Sequence, residues 1–126
     1  MSRIEETFSR LGRTGQGALI AYVTAGDPNP GLTSLIVDAL LKGGADMIEL
    51  GVPFSDPIAD GPTIQAASMR ALKAGMTCMG VLRLAEEIRS RHDVPIILLS
   101  YFNPVSYTHL RAHETRHDLV CRLLLE

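Results

Sequence analysis

A chain of 126 residues with 46% hydrophobic residues can bury the core of one ordinary domain and no more. Its net charge of -2 and its lack of tryptophan argue against nucleic acid or an anionic membrane as a partner. The two cysteines are far apart in sequence, which excludes a disulfide framework. Because the sequence has no signal-peptide pattern and no apolar run of membrane length, we expect a soluble, cytoplasmic protein.

Helical and strand patterns then alternate along the chain. In chain order the sequence predicts a short amphipathic helix ending near Gly12, a strand at 18–24, a helix at 30–42, a strand at 46–51, helices at 62–74 and 77–91, and a strand at 94–100. The strands are almost wholly apolar, which is typical of strands buried on both faces. In the helix at 30–42, the predicted packing stripe consists of Leu32, Leu35, Ile36, Ala39 and Leu40.

Strands that alternate with helices predict an α/β fold with parallel pairing. Both a doubly wound sheet and an eight-fold β/α barrel begin in this way. The first strand–helix junction, TAGDPNPG, lacks the G-x-G-x-x-G nucleotide fingerprint. Polar residues of interest instead follow the carboxyl ends of strands, where barrels keep their chemistry, so the pattern favours a (β/α)8 TIM barrel.

Glu49 is a candidate catalytic residue because it interrupts the apolar strand segment 47–50. If that strand is covered on both faces, its carboxyl group is desolvated and its pKa is raised. A carboxyl group with a raised pKa suits proton donation near neutral pH. The alternative is a structural ion pair with a lysine or arginine elsewhere in the chain.

Asp60 lies in the loop that leaves the same strand. Since Gly61 and Pro62 follow, it could be a turn or helix-capping residue, and the same alternative holds for Asp27 and Asp56, each of which precedes a proline. The position of Asp60 near Glu49 favours function. Two carboxyl groups in different surroundings can hold different protonation states and take different roles.

The composition changes after residue 105. All 11 glycines and all 7 prolines lie in residues 1–105, whereas three of the four histidines lie beyond them. We therefore interpret 106–126 as a tail unrelated to the barrel segment 1–105. The string VSYTHLRAHET resembles a translated DNA-library adapter, which favours an artefact of sequence assembly.

The same tail contains a pattern of metal-ligand spacing. In a helix, His109, His113, His117 and Cys121 would share one face. Residue types at helical spacing are weak support without a closed coordination shell, so we predict no metal site. A histidine-rich metal protein stays open as an alternative that rests on the tail alone.

The segment ELGVPFSDPIADGPTIQ resembles the signature of the tryptophan synthase alpha chains. The resemblance extends from about Ile4 to Val105 and includes AYVTAGDPNP, GGADMIELG and YFNPV. It implies a TIM-barrel lyase of tryptophan biosynthesis, which cleaves indole-3-glycerol phosphate to indole and glyceraldehyde 3-phosphate.

The resemblance also implies roles for individual residues. Glu49 would protonate indole C3 and later remove the side-chain hydroxyl proton, and Asp60 would act on the indole N–H. The indole pocket would be lined by Tyr22, Leu99 and Tyr101. No metal or organic cofactor is implied, because pyridoxal phosphate belongs to the beta chain, the partner in an alpha2-beta2 type complex. The residues implied to face that partner are Pro53, Asp56, Pro57, Asn103 and Pro104.

The resemblance covers only part of a barrel. A barrel of eight strands typically takes about 250 residues, and only the first three β/α units are present. The phosphate-binding loops of the family lie in the later strands, and the third strand is left with an unpaired edge. We therefore predict a poorly stable, aggregation-prone and inactive chain. Two further alternatives stay open, a non-catalytic module that docks a beta chain and another phosphate-sugar barrel enzyme.

Overall fold

Helices and strands alternate from Arg3 to Tyr101, as the sequence predicts. The computed structural model describes residues 2–101 and 120–125. Its elements are α1 (Arg3–Arg13), β1 (Ile20–Thr24), α2 (Pro30–Lys42), β2 (Met47–Gly51), α3 (Pro62–Lys73), α4 (Cys78–Arg91), β3 (Ile96–Tyr101) and β4 (Val120–Leu125). The predicted order is confirmed up to Tyr101, and β4 is an element that the sequence did not predict.

Local side-chain and glycine chemistry sets the ends of the helices. Ser2 forms a capping box at the start of α1, and the side chains of Asn29 and Thr77 accept backbone N–H bonds at the starts of α2 and α4. Gly44 and Gly75 follow α2 and α3 with φ angles of 114° and 88°. These angles suit glycine, so the predicted helix ends are confirmed.

The sheet has the strand order β1-β2-β3-β4, and its first three strands are parallel. Tyr22 lies opposite Glu49, Thr24 lies opposite Gly51, and Gly51 lies opposite Leu99. The carboxyl ends of three strands therefore meet at one edge of the sheet. This arrangement confirms the predicted parallel beginning of a barrel.

The prediction of an unpaired third strand is wrong. β4 pairs antiparallel with β3, with Val120 opposite Tyr101 and Leu125 opposite Ile96. Strand pairing of this kind satisfies backbone groups that an edge strand would otherwise expose. Cys121 lies in β4, so the proposed helical alignment of Cys121 with the three tail histidines is wrong at that position. Those histidines, together with Asn103 and Pro104, lie outside the described residues.

The hydrophobic core covers only one face of the sheet. Its main members are Val37, Ile48, Leu50, Val81, Leu84, Ile88, Ile96 and Leu98, from two strands and from helices α2 and α4. On the opposite face Glu49, Ile97 and Leu99 are half-buried. Burial on both faces was expected and is wrong here, because three parallel strands do not close a barrel interior over that face.

The predicted packing stripe of α2 is wrong at four of its five positions. Leu32, Leu35, Ile36 and Ala39 are exposed, whereas Leu40 packs against the core as predicted. Thr33 and Ser34 are buried in place of the predicted residues. Thr33 Oγ1 accepts the Gly26 N–H at 3.1 Å, and Arg91 donates to Ser34 Oγ at 2.6 Å, so hydrogen bonds compensate for burying these hydroxyl groups. Among the described helices, none is long and apolar enough to cross a membrane.

Candidate active site

A cleft opens at the carboxyl ends of β1, β2 and β3. Its cavity volume is about 20 Å³, and its walls are Tyr22, Val52, Asp60, Ser68, Leu99, Ser100 and Tyr101. The structure therefore brings together Asp60 and the three residues predicted to line an indole pocket. A cleft where several strands end is a usual position for a barrel active site.

Glu49 lies deeper on the same face of the sheet. Its Cα atom is paired with Tyr22 on one side and Ile97 on the other, two residues before Gly51. The side chain is half-buried rather than buried as expected. Its neighbours across the sheet, Tyr22 and Ile97, are likewise half-buried.

The Tyr22 hydroxyl connects the two predicted catalytic carboxyl groups. It lies 3.2 Å from Thr24 Oγ1. Burial raises the pKa of Tyr22, and the negative charges of Asp60 and Glu49 raise it further. Tyr22 is also the partner of Glu49 across the sheet and lines the cleft together with Asp60. The role of Glu49 and Asp60 as an acid–base pair stays a prediction.

Asp60 is held by the backbone of its loop. Its N–H donates to the Pro57 carbonyl at 3.2 Å, and its carbonyl accepts the Gln65 side chain at 2.8 Å. The N-cap residue of α3 is Gly61, which makes no side-chain capping bond. The helix-capping alternative for Asp60 is therefore wrong. Its carboxyl group points to the cleft that the strand ends form.

The sequence analysis did not identify three residues that line the cleft, Val52, Ser68 and Ser100, or two that support its walls, Phe54 and Gly51. The ring of Phe54 stacks on Tyr101 with centroids 5.1 Å apart and an angle of 28° between planes. A Cβ atom at Gly51 would overlap the Tyr22 hydroxyl group. A glycine at the end of a strand often marks a close approach by another group, and this signal could have identified Gly51. No sequence pattern distinguishes the pairing of Phe54 with Tyr101.

The other two aspartates of the region differ in role. Both side-chain oxygens of Asp27 accept bonds from Arg70, at 2.7 and 3.0 Å. This bidentate pair ties the loop after β1 to α3. The N-cap of α2 is Asn29, so the helix-capping alternative for Asp27 is wrong and its side chain has a different structural role. Asp56 is exposed in the loop after β2. Its side chain therefore stays available to a partner.

The predicted partner-facing loop lies partly at the surface. Asp56 is exposed and Pro57 is half-buried, but Pro53 is buried within the chain. Pro53 directly follows Val52, whose N–H donates to the Leu99 carbonyl at 2.9 Å and so extends the sheet pairing. The sheet thus draws Pro53 inward, and the prediction of a surface role for Pro53 is corrected.

Within residues 2–101 and 120–125, no group of three or more histidine, cysteine, aspartate or glutamate side chains could hold a metal ion. The cleft therefore offers carboxyl, hydroxyl and apolar groups. These groups can transfer protons to and from a bound aromatic substrate and can surround its rings.

Comparison with protein families identifies relatives of this chain. The family model described as tryptophan synthase alpha chain matches residues 8–115. The tryptophan synthase alpha chain of Solibacter usitatus (strain Ellin6076) is 58% identical over 105 residues, which cover 83% of this chain and 39% of the relative. That of Azoarcus sp. (strain BH72) is 58% identical over 106 residues with the same coverage. The chain thus spans 39% of the length of these curated relatives.

Solved structures with a similar fold come from the same family. The tryptophan synthase subunit alpha of Legionella pneumophila str. Paris superposes with a TM-score of 0.84 at 43% identity, over 86% of this chain and 42% of that one. A tryptophan synthase complex from Pyrococcus furiosus superposes with a TM-score of 0.68 at 46% identity, over 72% of this chain and 38% of the other. The described sheet and helices are therefore similar to the first part of a longer barrel.

Proposed function

We infer the function from one premise, that this chain belongs to the tryptophan synthase alpha chain family. On that premise we propose that the chain carries the acid–base half of a lyase site. The full-length enzyme would cleave indole-3-glycerol phosphate to indole and glyceraldehyde 3-phosphate in tryptophan biosynthesis. The β/α units beyond these residues would complete the site, so the chain alone would be inactive.

One observation carries this proposal. Glu49 and Asp60 come from different elements, a strand and a loop: Glu49 is the partner of Tyr22 across the sheet, and Asp60 lines the same cleft as Tyr22. A ligand seated against Tyr22 would therefore meet two carboxyl groups from two directions. Proton-transfer catalysis at two positions of one substrate needs such an arrangement.

The retro-aldol reaction assigns a proton to each group. Protonated Glu49 gives its proton to indole C3, and the resulting carboxylate accepts the proton of the side-chain hydroxyl as the carbon–carbon bond breaks. Asp60 stays ionised and accepts a hydrogen bond from the indole N–H, which stabilises the positive charge that develops on the ring. Each such proton-transfer group typically contributes roughly 10²–10⁴-fold in rate.

We propose that the indole ring binds among Tyr22, Leu99 and Tyr101. Leu99 and Tyr22 supply apolar walls from β3 and β1, the two strands that flank β2, and apolar walls suit a flat aromatic ring. The phosphate group would bind to β/α units beyond those described, because barrel phosphate sites commonly lie in the loops after the last strands.

We also propose a tryptophan synthase beta chain as the partner. Asp56 and Pro57 lie at the surface close to the cleft. Together with Asn103 and Pro104, they would face the beta chain. Pyridoxal phosphate would belong to the beta chain, and no cofactor is proposed for this one. A cytoplasmic location fits both the proposed pathway and the composition.

The test needs a full barrel. We define the full-length chimaera as residues 1–101 of this chain joined to the remaining part of the Solibacter usitatus relative, which aligns with it at 58% identity. In the chimaera Glu49→Gln and Asp60→Asn should each lower indole release by at least about 10²-fold, because each removes one proton-transfer group. Glu86→Gln, an exposed position on α4, is the matched control and should leave the rate unchanged.

The same variants separate catalysis from docking. A non-catalytic docking module has no need of a carboxyl group inside β2. Glu49→Gln should therefore abolish cleavage while binding to a purified beta chain, measured by calorimetry, stays intact. Unchanged cleavage in Glu49→Gln would remove Glu49 from the mechanism and leave the docking module as the better proposal.

A further inference from the structure

We propose that Tyr101 is a positioning residue that holds the Asp60 loop in place, in addition to forming a wall of the cleft. The loop concerned is residues 53–60, between β2 and α3. The catalytic consequence of this inference rests on the proposed function. The attachment of the loop does not, and it can be measured by itself.

Tyr101 contacts the loop at two places. Its hydroxyl oxygen accepts the Ala59 N–H at 2.7 Å, and Ala59 directly precedes Asp60. Its ring stacks on Phe54, near the other end of the loop, with centroids 5.1 Å apart. One side chain thus holds both ends of a segment of eight residues.

The anchor itself is rigid. Tyr101 is 5% exposed and ends β3, where it is paired across the sheet. Immediately before the loop, Val52 also bonds to β3 through the Leu99 carbonyl. A buried aromatic side chain on a paired strand moves little, so the position of β3 determines where the loop lies.

The backbone bonds inside the loop are short-range. The Ile58 N–H donates to Asp56 and the Asp60 N–H donates to Pro57, so these bonds shape a turn but do not fix its place. Ile58 is 65% exposed and provides little packing. Gln65 of α3 also donates to the Asp60 carbonyl at 2.8 Å, which ties Asp60 to the following helix. The contacts of Tyr101 add the connection between the loop and the end of β3.

The chemistry of the hydroxyl group fits this role. Since its oxygen accepts from Ala59, its own proton stays available to an acceptor, and the Asp60 carboxyl group is near enough to affect it. Burial raises the pKa of Tyr101 and the Asp60 charge adds to this, so the hydroxyl keeps its proton at neutral pH. Tyr101 can thus steady both the backbone and the carboxylate of the catalytic loop.

The experiment uses the full-length chimaera. Tyr101→Phe removes the hydroxyl and keeps the ring stack, and Ala59→Pro removes the N–H from the other side of the same bond at an exposed position. Phe8→Leu, on an exposed position of α1, is the control. We expect amide hydrogen exchange at residues 58–60 to become at least about tenfold faster in Tyr101→Phe, since a lost attachment frees local opening.

Kinetics then distinguish positioning from substrate contact. A displaced Asp60 should lower kcat by roughly 10–100-fold with KM nearly unchanged, because small displacements of a catalytic group are costly. Adding Tyr101→Phe to Asp60→Asn should cost nothing further, since both act through one carboxyl group. Ala59→Pro should reproduce the loss of kcat.

Each other outcome is decisive. Unchanged exchange at 58–60 in Tyr101→Phe overturns the positioning role. A raised KM with unchanged kcat also overturns it and makes Tyr101 a simple substrate contact. If Asp60→Asn itself leaves the rate unchanged, the proposed function fails, while faster exchange in Tyr101→Phe would still establish that Tyr101 holds the loop.

Discussion

The Tyr22 hydroxyl occupies the space that a Cβ atom at Gly51 would take. The two residues belong to adjacent parallel strands, and Thr24, the hydrogen-bond partner of Tyr22, lies directly opposite Gly51. Tyr22 can therefore lie over the end of β2 only because residue 51 is a glycine. Because Tyr22 faces both carboxyl groups, this absence of a side chain shapes the floor of the candidate site.

Gly51→Ala should consequently disturb the site more than the small size of the added methyl group suggests. The new methyl group must displace Tyr22, and overpacking of this kind typically costs about 1–3 kcal/mol of unfolding free energy. In the full-length chimaera we expect a lower urea midpoint and at least about tenfold slower indole release, from the same displacement. Gly17→Ala, where no atom lies within 4 Å of the added Cβ, is the control and should change neither. A wild-type rate in Gly51→Ala would contradict the placement of Tyr22.

The 126-residue chain itself should release no indole. β1 is a sheet edge and Ile20 on it is 44% exposed, so the chain should also associate and melt without cooperativity. The measurements are an indole-release assay, light scattering and a thermal scan. Turnover, or a cooperative melt of a monomer, would show that three β/α units suffice.

Deletion of residues 120–126 tests the role of β4. If β4 protects β3 as observed, the shortened chain should scatter more light than the parent at equal concentration, because the β3 edge is then free to pair with other molecules. Equal scattering would instead favour the interpretation of 106–126 as foreign sequence, which stays a prediction.

Asp38 should make stability depend on pH in the acid range. Its Oδ1 lies 2.7 Å from His92 Nε2 and 3.1 Å from Arg91 Nη2, and these hydrogen bonds, that to His92 first, lower the pKa of Asp38 below its ordinary value of 3.8. A carboxyl group with a lowered folded-state pKa contributes stability above its unfolded pKa, and the contribution is lost as pH falls through the folded value.

The urea midpoints of wild type and Asp38→Asn, measured in the full-length chimaera, should therefore differ above pH 4 and converge as the pH falls below 3.8. Glu86→Gln, on the exposed side of α4, is the reference for removing a carboxyl group without this pairing. A difference that persists unchanged at the lowest pH would mean that Asp38 acts through packing rather than charge.

Much of the fold could be predicted because it depends on local chemistry. Pro62 and Thr77 begin their helices as predicted, since caps and first-turn prolines act over a few residues. The packed face of α2 could not be predicted. Hydropathy favoured Leu32 and Leu35, but the packed face includes Thr33, whose burial depends on hydrogen bonds formed only in the folded chain.

The sequence by itself determined the family, the alternation of strands and helices, and the two carboxyl groups, because these depend on residue types and their order. Tertiary structure alone decided what surrounds those groups. It left Glu49 half-buried on β2, and it joined Tyr101 to Ala59 across 42 residues of sequence. Solvent exposure and long-range hydrogen bonds depend on which segments meet in space, and no local pattern encodes that.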